Sequence, residues 1–429
     1  MPEIFSGGAR MTASKLISIL ITGFLLLAAL IATAVFFMRI PIAGTTLALD
    51  WISIRIGVKN WDLFYGAASG LRLPPWSGLL LVPAGMLPVQ AGWGVIAFLT
   101  LAVVPLSLQR DRPEGRKFIL AALALTLGFP VLRTIVDGNV EFLIVAGLLL
   151  LEAGILRRQP VVFVLGILLS ATKVQETWIL LLFLPLVAGR AWTARKWLET
   201  MGLSALVVLP CMIWKGRDWI TSVVTSQYRG SIMDSSLLNT VQRGGLSAGV
   251  AVGLWGVLLL LTVFIAAKYC RGYSREAMAF FLSASLLLAP YTAGNNLIVV
   301  YVIGAVPLLL ARRWEGAVLF GLINLPYLFL PFRDLMYWWS APYWTLVLLE
   351  SWILFALRMR ALRQVVGGGV GRYKKIPSSR PEYRADRSAS VREGAQCAPV
   401  LLDTSESRGV EYLPRQWACS AVGSALQSH

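Results

Sequence analysis

Apolar runs recur along the first 357 residues, bounded by short clusters of arginine and lysine. A helix needs about 20 apolar residues to cross a hydrocarbon layer about 30 Å thick. The pattern therefore predicts an all-α polytopic membrane protein with about twelve transmembrane helices. They fall over residues 17–38, 91–108, 118–132, 140–156, 161–172, 177–188, 198–214, 248–267, 277–290, 297–311, 316–331 and 342–357. The basic clusters stand at Arg110 to Lys117, Arg157 and Arg158, Arg190 to Lys196, Lys268 to Arg275, Arg312 and Arg313, and Arg358 to Arg363. Each follows an even-numbered span. The positive-inside rule then sets both chain ends on the cytoplasmic side.

Some segments depart from that rhythm. Residues 39–90 form an outer loop, and the apolar stretch 76–88 inside it is too short for a span and holds Pro83. It reads as an interfacial or re-entrant segment. A second outer loop covers 215–247. The spans 161–172 and 177–188 have only 12 residues each, about 18 Å of helix. Their shared apex, Lys173-Val174-Gln175-Glu176, is expected to lie below the outer surface, where charge survives only beside protein or water. After the membrane domain, 1–357, residues 358–429 read as a disordered basic cytoplasmic tail.

Composition narrows the function classes. The chain is 57% hydrophobic and only 14% charged, against roughly 25% charged for a soluble domain. Its net charge of +17 lies in short loops and in the tail, so topology accounts for it and no nucleic-acid partner is implied. The cysteines at 211, 270, 397 and 419 form no C-x-x-C pair, and the single histidine is His429. A zinc site, a disulfide framework and a Ser-His-Asp triad are excluded from the membrane domain, and no metal is expected.

With no usable histidine, a proton acceptor on the outer side must be a carboxylate. Asp50, before Trp51, and Asp62, after Trp61, are both flanked by aromatics that suit a sugar or a lipid surface. The other outer-side acids are Asp137, Glu141, Glu176, Asp218, Asp234 and Asp334. Asp137 is expected to pair with Arg133. Asn139 is expected to cap the fourth span or to contact a sugar. Glu152 is expected to reach toward Arg157 and Arg158.

Several motifs, taken in order, resemble glycosyltransferase family 87 of the GT-C superfamily. They are Asp50-Trp51 after the first helix, Leu73-Pro74-Pro75-Trp76, Asp137-Gly138-Asn139, Lys173-Val174-Gln175 and Ala289-Pro290-Tyr291. Val174 stands where that family usually has proline, and no Gly-x-x-Pro-Tyr lies between Asp62 and Leu73.

The resemblance implies a GT-C-like architecture with an outward-facing cavity in the cell membrane. It implies transfer of a hexose, such as mannose, from a polyprenyl-phosphate donor to a glycolipid or other glycan acceptor, with inversion and without a bound cofactor. Asp50 would be the base, with Asp62 the second choice. Lys173 and Gln175 would meet the leaving phosphate, and Arg72, Arg229 and Arg243 would be further clamps. Asn139, Trp51 and Trp76 would line the substrate. The competing classes are a secondary transporter or lipid flippase and a non-catalytic membrane scaffold. A scaffold would leave Asp50 and Lys173 far apart, each explained by local partners.

Overall fold

A computed structural model describes residues 13–43, 45–65, 72–110, 113, 115–189, 192–224, 234–329 and 333–370. Arg229 and the tail from 371 onward lie outside the described residues. Among the described residues the fold is entirely helical.

The helices are α1 (Ala13–Met38), α2 (Leu49–Lys59), α3 (Pro75–Gly85), α4 (Val89–Leu106), α5 (Arg116–Thr126), α6 (Phe129–Asp137), α7 (Glu141–Arg157), α8 (Pro160–Ser170), α9 (Val174–Leu182), α10 (Leu184–Ala188) and α11 (Ala194–Val224). There follow α12 (Leu237–Arg243), α13 (Ala248–Tyr269), α14 (Arg275–Leu287), α15 (Ile298–Val300), α16 (Val306–Leu310), α17 (Trp314–Asn324), α18 (Pro326–Phe329) and α19 (Arg333–Val370).

Each expected span coincides with helix, but several are broken. By length and composition, five helical runs among the described residues could cross a membrane, or six if α5 and α6, bent by 51°, count as one. The breaks fall where proline begins a new helix, at Pro130, Pro185 and Pro326. Proline lacks the N–H that would continue the ladder. The outer loop 39–90 carries two helices, α2 and α3, and α3 occupies the expected interfacial segment. The second outer loop is shorter than expected, because α11 runs to Val224 and α12 fills Leu237–Arg243. The last helix passes residue 357 and ends at Val370.

The run Pro160–Leu182 has the length of one span but does not cross in one direction. Lys173 leaves helical geometry, with φ −126° and ψ 88°. Thr177 then donates its hydroxyl back to the carbonyl of Ser170 at 2.9 Å, a contact impossible seven residues along a straight helix. Past α10, the ring of Trp192 lies 4.2 Å from that of Phe163, and Lys196 Nζ donates to the carbonyl of Arg158 at 2.9 Å. Both feet of this hairpin therefore stand together, as the two short runs predict. Its rising arm is packed on α7 through glycine. A Cβ on Gly147 would lie 2.2 Å from the backbone nitrogen of Ser170, and one on Gly166 would lie 2.4 Å from that of Leu151. Such close approach is how helices associate where lipid removes the hydrophobic drive.

The basic clusters gather at one end. Arg110 donates to the Tyr273 hydroxyl at 2.7 Å, and Arg275 donates to the carbonyl of Ser107 at 3.2 Å. Arg358 lies 3.9 Å from Glu276 and 3.7 Å from Glu315, and Arg363 bonds the carbonyl of Lys268. Glu152, expected to turn toward Arg157 and Arg158, instead pairs with Arg110 and, at 3.6 Å, with Arg275. The packed centre of the bundle is α14 and the helix after it, where Met278 to Leu282 and Leu297 to Ile303 are buried without interruption.

Candidate functional site

At the opposite end of α7 from Glu152, three chain segments meet around Asp50. Ala48 adopts a left-handed conformation, φ 54°, and its N–H donates to the carbonyl of Val136 at 2.8 Å. This ties the start of α2 to the end of α6. The next contact depends on glycine. Gly138 has φ +68°, and a Cβ there would lie 2.6 Å from Cβ of Trp51. The backbone after α6 thus rests directly on α2, and Asp50 comes level with Asn139.

Asn139 Nδ2 donates to Asp50 Oδ2 at 2.8 Å, while Asn139 Oδ1 accepts the N–H of Val140 at 2.7 Å. Asn139 is buried and does not act as the N-cap of α7, which starts two residues later. Of the two roles open to it in the sequence, capping is replaced by orientation of a carboxylate. Burial pushes the Asp50 carboxyl above the usual carboxylate range, against the pull of the Lys173 ammonium. Glu141 also pushes it up, and the guanidiniums of Arg133 and Arg72 pull it down. Asp50 and Lys173 therefore share one electrostatic environment. The expected Arg133–Asp137 bridge is present, at 2.8 Å.

Lys173, at the hairpin apex, donates to Glu141 Oε1 and lies 3.6 Å from Glu176 Oε1. Asn296 Nδ2 donates to both carboxylates, at 3.1 Å to Glu141 and also to Glu176 Oε1. Glu141 and Glu176 are fully buried, and the Lys173 side chain is 13% exposed. Both acids stood among the outer-side carboxylates of the sequence, and Asn296 did not enter its reading. The signal for the acids is an ionisable residue opening or interrupting an apolar helix, which marks function by default.

The other expected residues divide by position. Arg72 is half-buried, with its guanidinium 5.9 Å from the centroid of Tyr291. Its carbonyl accepts from Trp219 at 2.8 Å. Gln175 is half-buried beside the apex. Trp51 and Trp76 are both buried and hydrogen-bonded to backbone. Trp51 is fully buried and donates to the carbonyl of Val89 at 3.0 Å, and Trp76 donates to that of Leu168 at 3.0 Å. Asp62 is exposed, with its side chain 95% accessible, and lies 3.9 Å from Lys215. It is not joined to the Asp50 cluster. Arg243 is exposed at the end of α12.

Among the described residues no group of three or more histidine, cysteine, aspartate or glutamate side chains is arranged to hold a metal. The cluster can do two things chemically. Asp50, steadied by an amide, has a second oxygen able to take a proton. The surrounding cations can receive negative charge.

A model of glycosyltransferase family 87 matches residues 73–291, just over half of the chain. The matched stretch carries Asn139, Glu141, Lys173 and Glu176 and begins after Asp50. No curated protein and no solved structure matches.

Proposed function

Because this chain belongs to glycosyltransferase family 87, we propose that it transfers a hexose such as mannose from a polyprenyl-phosphate carrier to a glycolipid or other acceptor. The reaction takes place at the outer face of the cell membrane, with Asp50 as general base. In this reading the shorter and broken helices are partial spans completing a multi-pass GT-C-like domain. The gathered basic end faces the cytoplasm, as the positive-inside rule requires.

The observation that carries the proposal is the carboxylate of Asp50 held by Asn139 at 2.8 Å in the field of Lys173. Asp50 Oδ1 removes the proton of the acceptor hydroxyl. The acceptor oxygen attacks the anomeric carbon from the face opposite the phosphate. The bond between that carbon and the phosphate oxygen breaks, its electron pair leaves on the phosphate, and the configuration inverts. Charge grows on the phosphate as it departs, and preorganised cations lower the barrier to that step.

Lys173 was expected to meet the phosphate directly. Its ammonium already faces two carboxylates, so its contribution is a field, not a ligand. Arg72, half-buried and within electrostatic reach of Asp50, is the better direct contact, since a guanidinium binds phosphate through two parallel donors. No cofactor is needed, because the lipid-linked sugar brings its own leaving group.

The test uses the purified protein, labelled polyprenyl-phosphate hexoses and extracted membrane lipids. Asp50→Asn should abolish transfer while the melting temperature stays within a few degrees of the parent. Transfer at the parental rate in that variant would remove Asp50 from the base role.

A further inference from the structure

We propose that the buried pair of acids Glu141 and Glu176 carries one proton at neutral pH, placed on Glu176, which stands farther from Lys173 than Glu141 does. With Lys173 and Asn296 they form a charge-neutral unit that fixes the hairpin apex opposite Asp50.

The inference begins from a count of charge in a buried place. Glu141 opens α7 and Glu176 lies in the first turn of α9, and neither is exposed. Among the described residues, their one cationic neighbour in direct contact is Lys173, which bonds Glu141 and stands 3.6 Å from Glu176. Two carboxylates and one ammonium would leave a net negative charge in a buried, apolar setting. An uncompensated charge there is far costlier than a neutral carboxylic acid.

Geometry points the same way. Asn296 Nδ2 donates to Oε1 of both acids, so one amide draws the two carboxyl groups together. Lys173 likewise reaches Oε1 of both. Among the described residues, Oε2 of Glu141 and Oε2 of Glu176 have no hydrogen-bond partner. Two ionised carboxylates held by the same two donors are acceptors only and repel. A single proton removes one of the two charges. Buried acids that cannot both ionise share a proton for this reason.

The charged groups that act on the unit are Asp50 on α2 and, through Lys173, Asp137 on α6, while Arg133 and Arg72 act on Asp50. The neighbouring Asn295 and Asn296 carry no charge. With one proton in place a single negative charge stands beside Lys173, so its pull on Asp50 is opposed less than it would be by two ionised carboxylates. If the chain acts on an anionic lipid phosphate, a step that rests on the proposed function, neutrality also spares that phosphate a buried negative neighbour.

The experiment reads the proton without turnover. Infrared spectra of the purified protein in detergent, taken across neutral pH, should show a carboxylic-acid carbonyl band that shifts on exchange into heavy water. Glu176→Gln should abolish the band and keep the fold, because the amide imitates the protonated acid. Glu141→Gln should abolish it as well, since the remaining carboxylate then pairs with Lys173 alone. Asp50→Asn should leave it in place. Absence of the band from the parent at neutral pH overturns the proposal, as does a band that survives both glutamine variants. A band behaving as expected in a protein that transfers no sugar would uphold the shared proton and defeat the enzymatic reading, so the two failures are separable.

Discussion

Asn139 and Asp50 are 89 residues apart in the chain, and the amide of one donates to the carboxylate of the other at 2.8 Å. The same amide accepts from the backbone of Val140 through its oxygen, so it cannot rotate without losing a second bond. Asp50 is thereby held in one orientation, with one oxygen committed and the other open to an incoming proton.

Removal of that amide should weaken turnover more than folding. A hydrogen bond to a charged group is worth about 1.5–3 kcal/mol, which is about 10- to 100-fold in rate at 1.4 kcal/mol per decade. Asn139→Leu is expected to lower kcat by that factor with KM within about threefold, since the loss falls on the base in the transition state. Asn139→Asp should lower it further, because a second carboxylate beside Asp50 repels it. Steady-state kinetics with both variants, read beside their melting curves, checks this.

The pH dependence follows from the environment of Asp50. Burial raises its carboxyl pKa, so the group protonates, and activity falls, at a pH above the ordinary aspartate value of about 3.9. The acid limb of log kcat/KM should therefore lie above that value. Arg72 draws the pKa down, so Arg72→Gln should move the limb to higher pH, and Glu141→Gln should move it to lower pH. For stability the sign is opposite to that of a salt-bridged acid. A raised folded-state pKa contributes stability present below the unfolded value and lost as pH rises through the folded one. A limb unmoved in both variants would dissociate Asp50 from the titration.

How much of this was legible beforehand depends on the distance over which each feature is decided. The basic ends, the hairpin at Lys173 and the Arg133–Asp137 pair are local patterns, and all three are present. The link between Asn296 and Glu176 joins residues 120 apart, and that between Asn296 and Glu141 joins residues 155 apart, so no local pattern could display either. Trp51 looked like a sugar platform because an aromatic beside an acid is ambiguous. Its close packing on Gly92 and Gly138, where a Cβ would strike it, joins distant segments and has no local signal. The proline-led breaks at Pro130, Pro185 and Pro326 were readable, but apolar composition alone masks them.

Gly138 offers a test of the scaffold. Its φ of +68° costs an L-residue about 1–2 kcal/mol. A methyl group would in addition lie 2.6 Å from Cβ of Trp51. Gly138→Ala should lower stability by about 2–3 kcal/mol, within the range of damaging single changes, and should cost turnover by displacing Asn139. Gly253, in α13, has nothing within 4 Å of such a methyl. Gly253→Ala should therefore melt at or slightly above the parental temperature, since alanine is the better helix former by about 1 kcal/mol. Equal melting of the two variants would contradict the contact at Trp51.

Sidedness can be read with single cysteines. The Asp62 side chain is 95% exposed and stands near Lys215, while that of Arg195 is 88% exposed beside the foot of the hairpin. The native Cys211 and Cys270 are buried, and serine replacement of all four native cysteines gives a clean background. A membrane-impermeant maleimide applied to intact cells should label Asp62→Cys fully and leave Arg195→Cys unlabelled until the membrane is opened. The two sites differ in the charge around them. Arg195 lies in one of the gathered arginine and lysine clusters, which the positive-inside rule expects on the cytoplasmic side, whereas Asp62 belongs to the segment that leads to the Asp50 end. Labelling in the reverse order would place the Asp50 cluster on the cytoplasmic face. An outer-leaflet donor could not reach it there, and the sugar would have to come from the cytoplasmic leaflet.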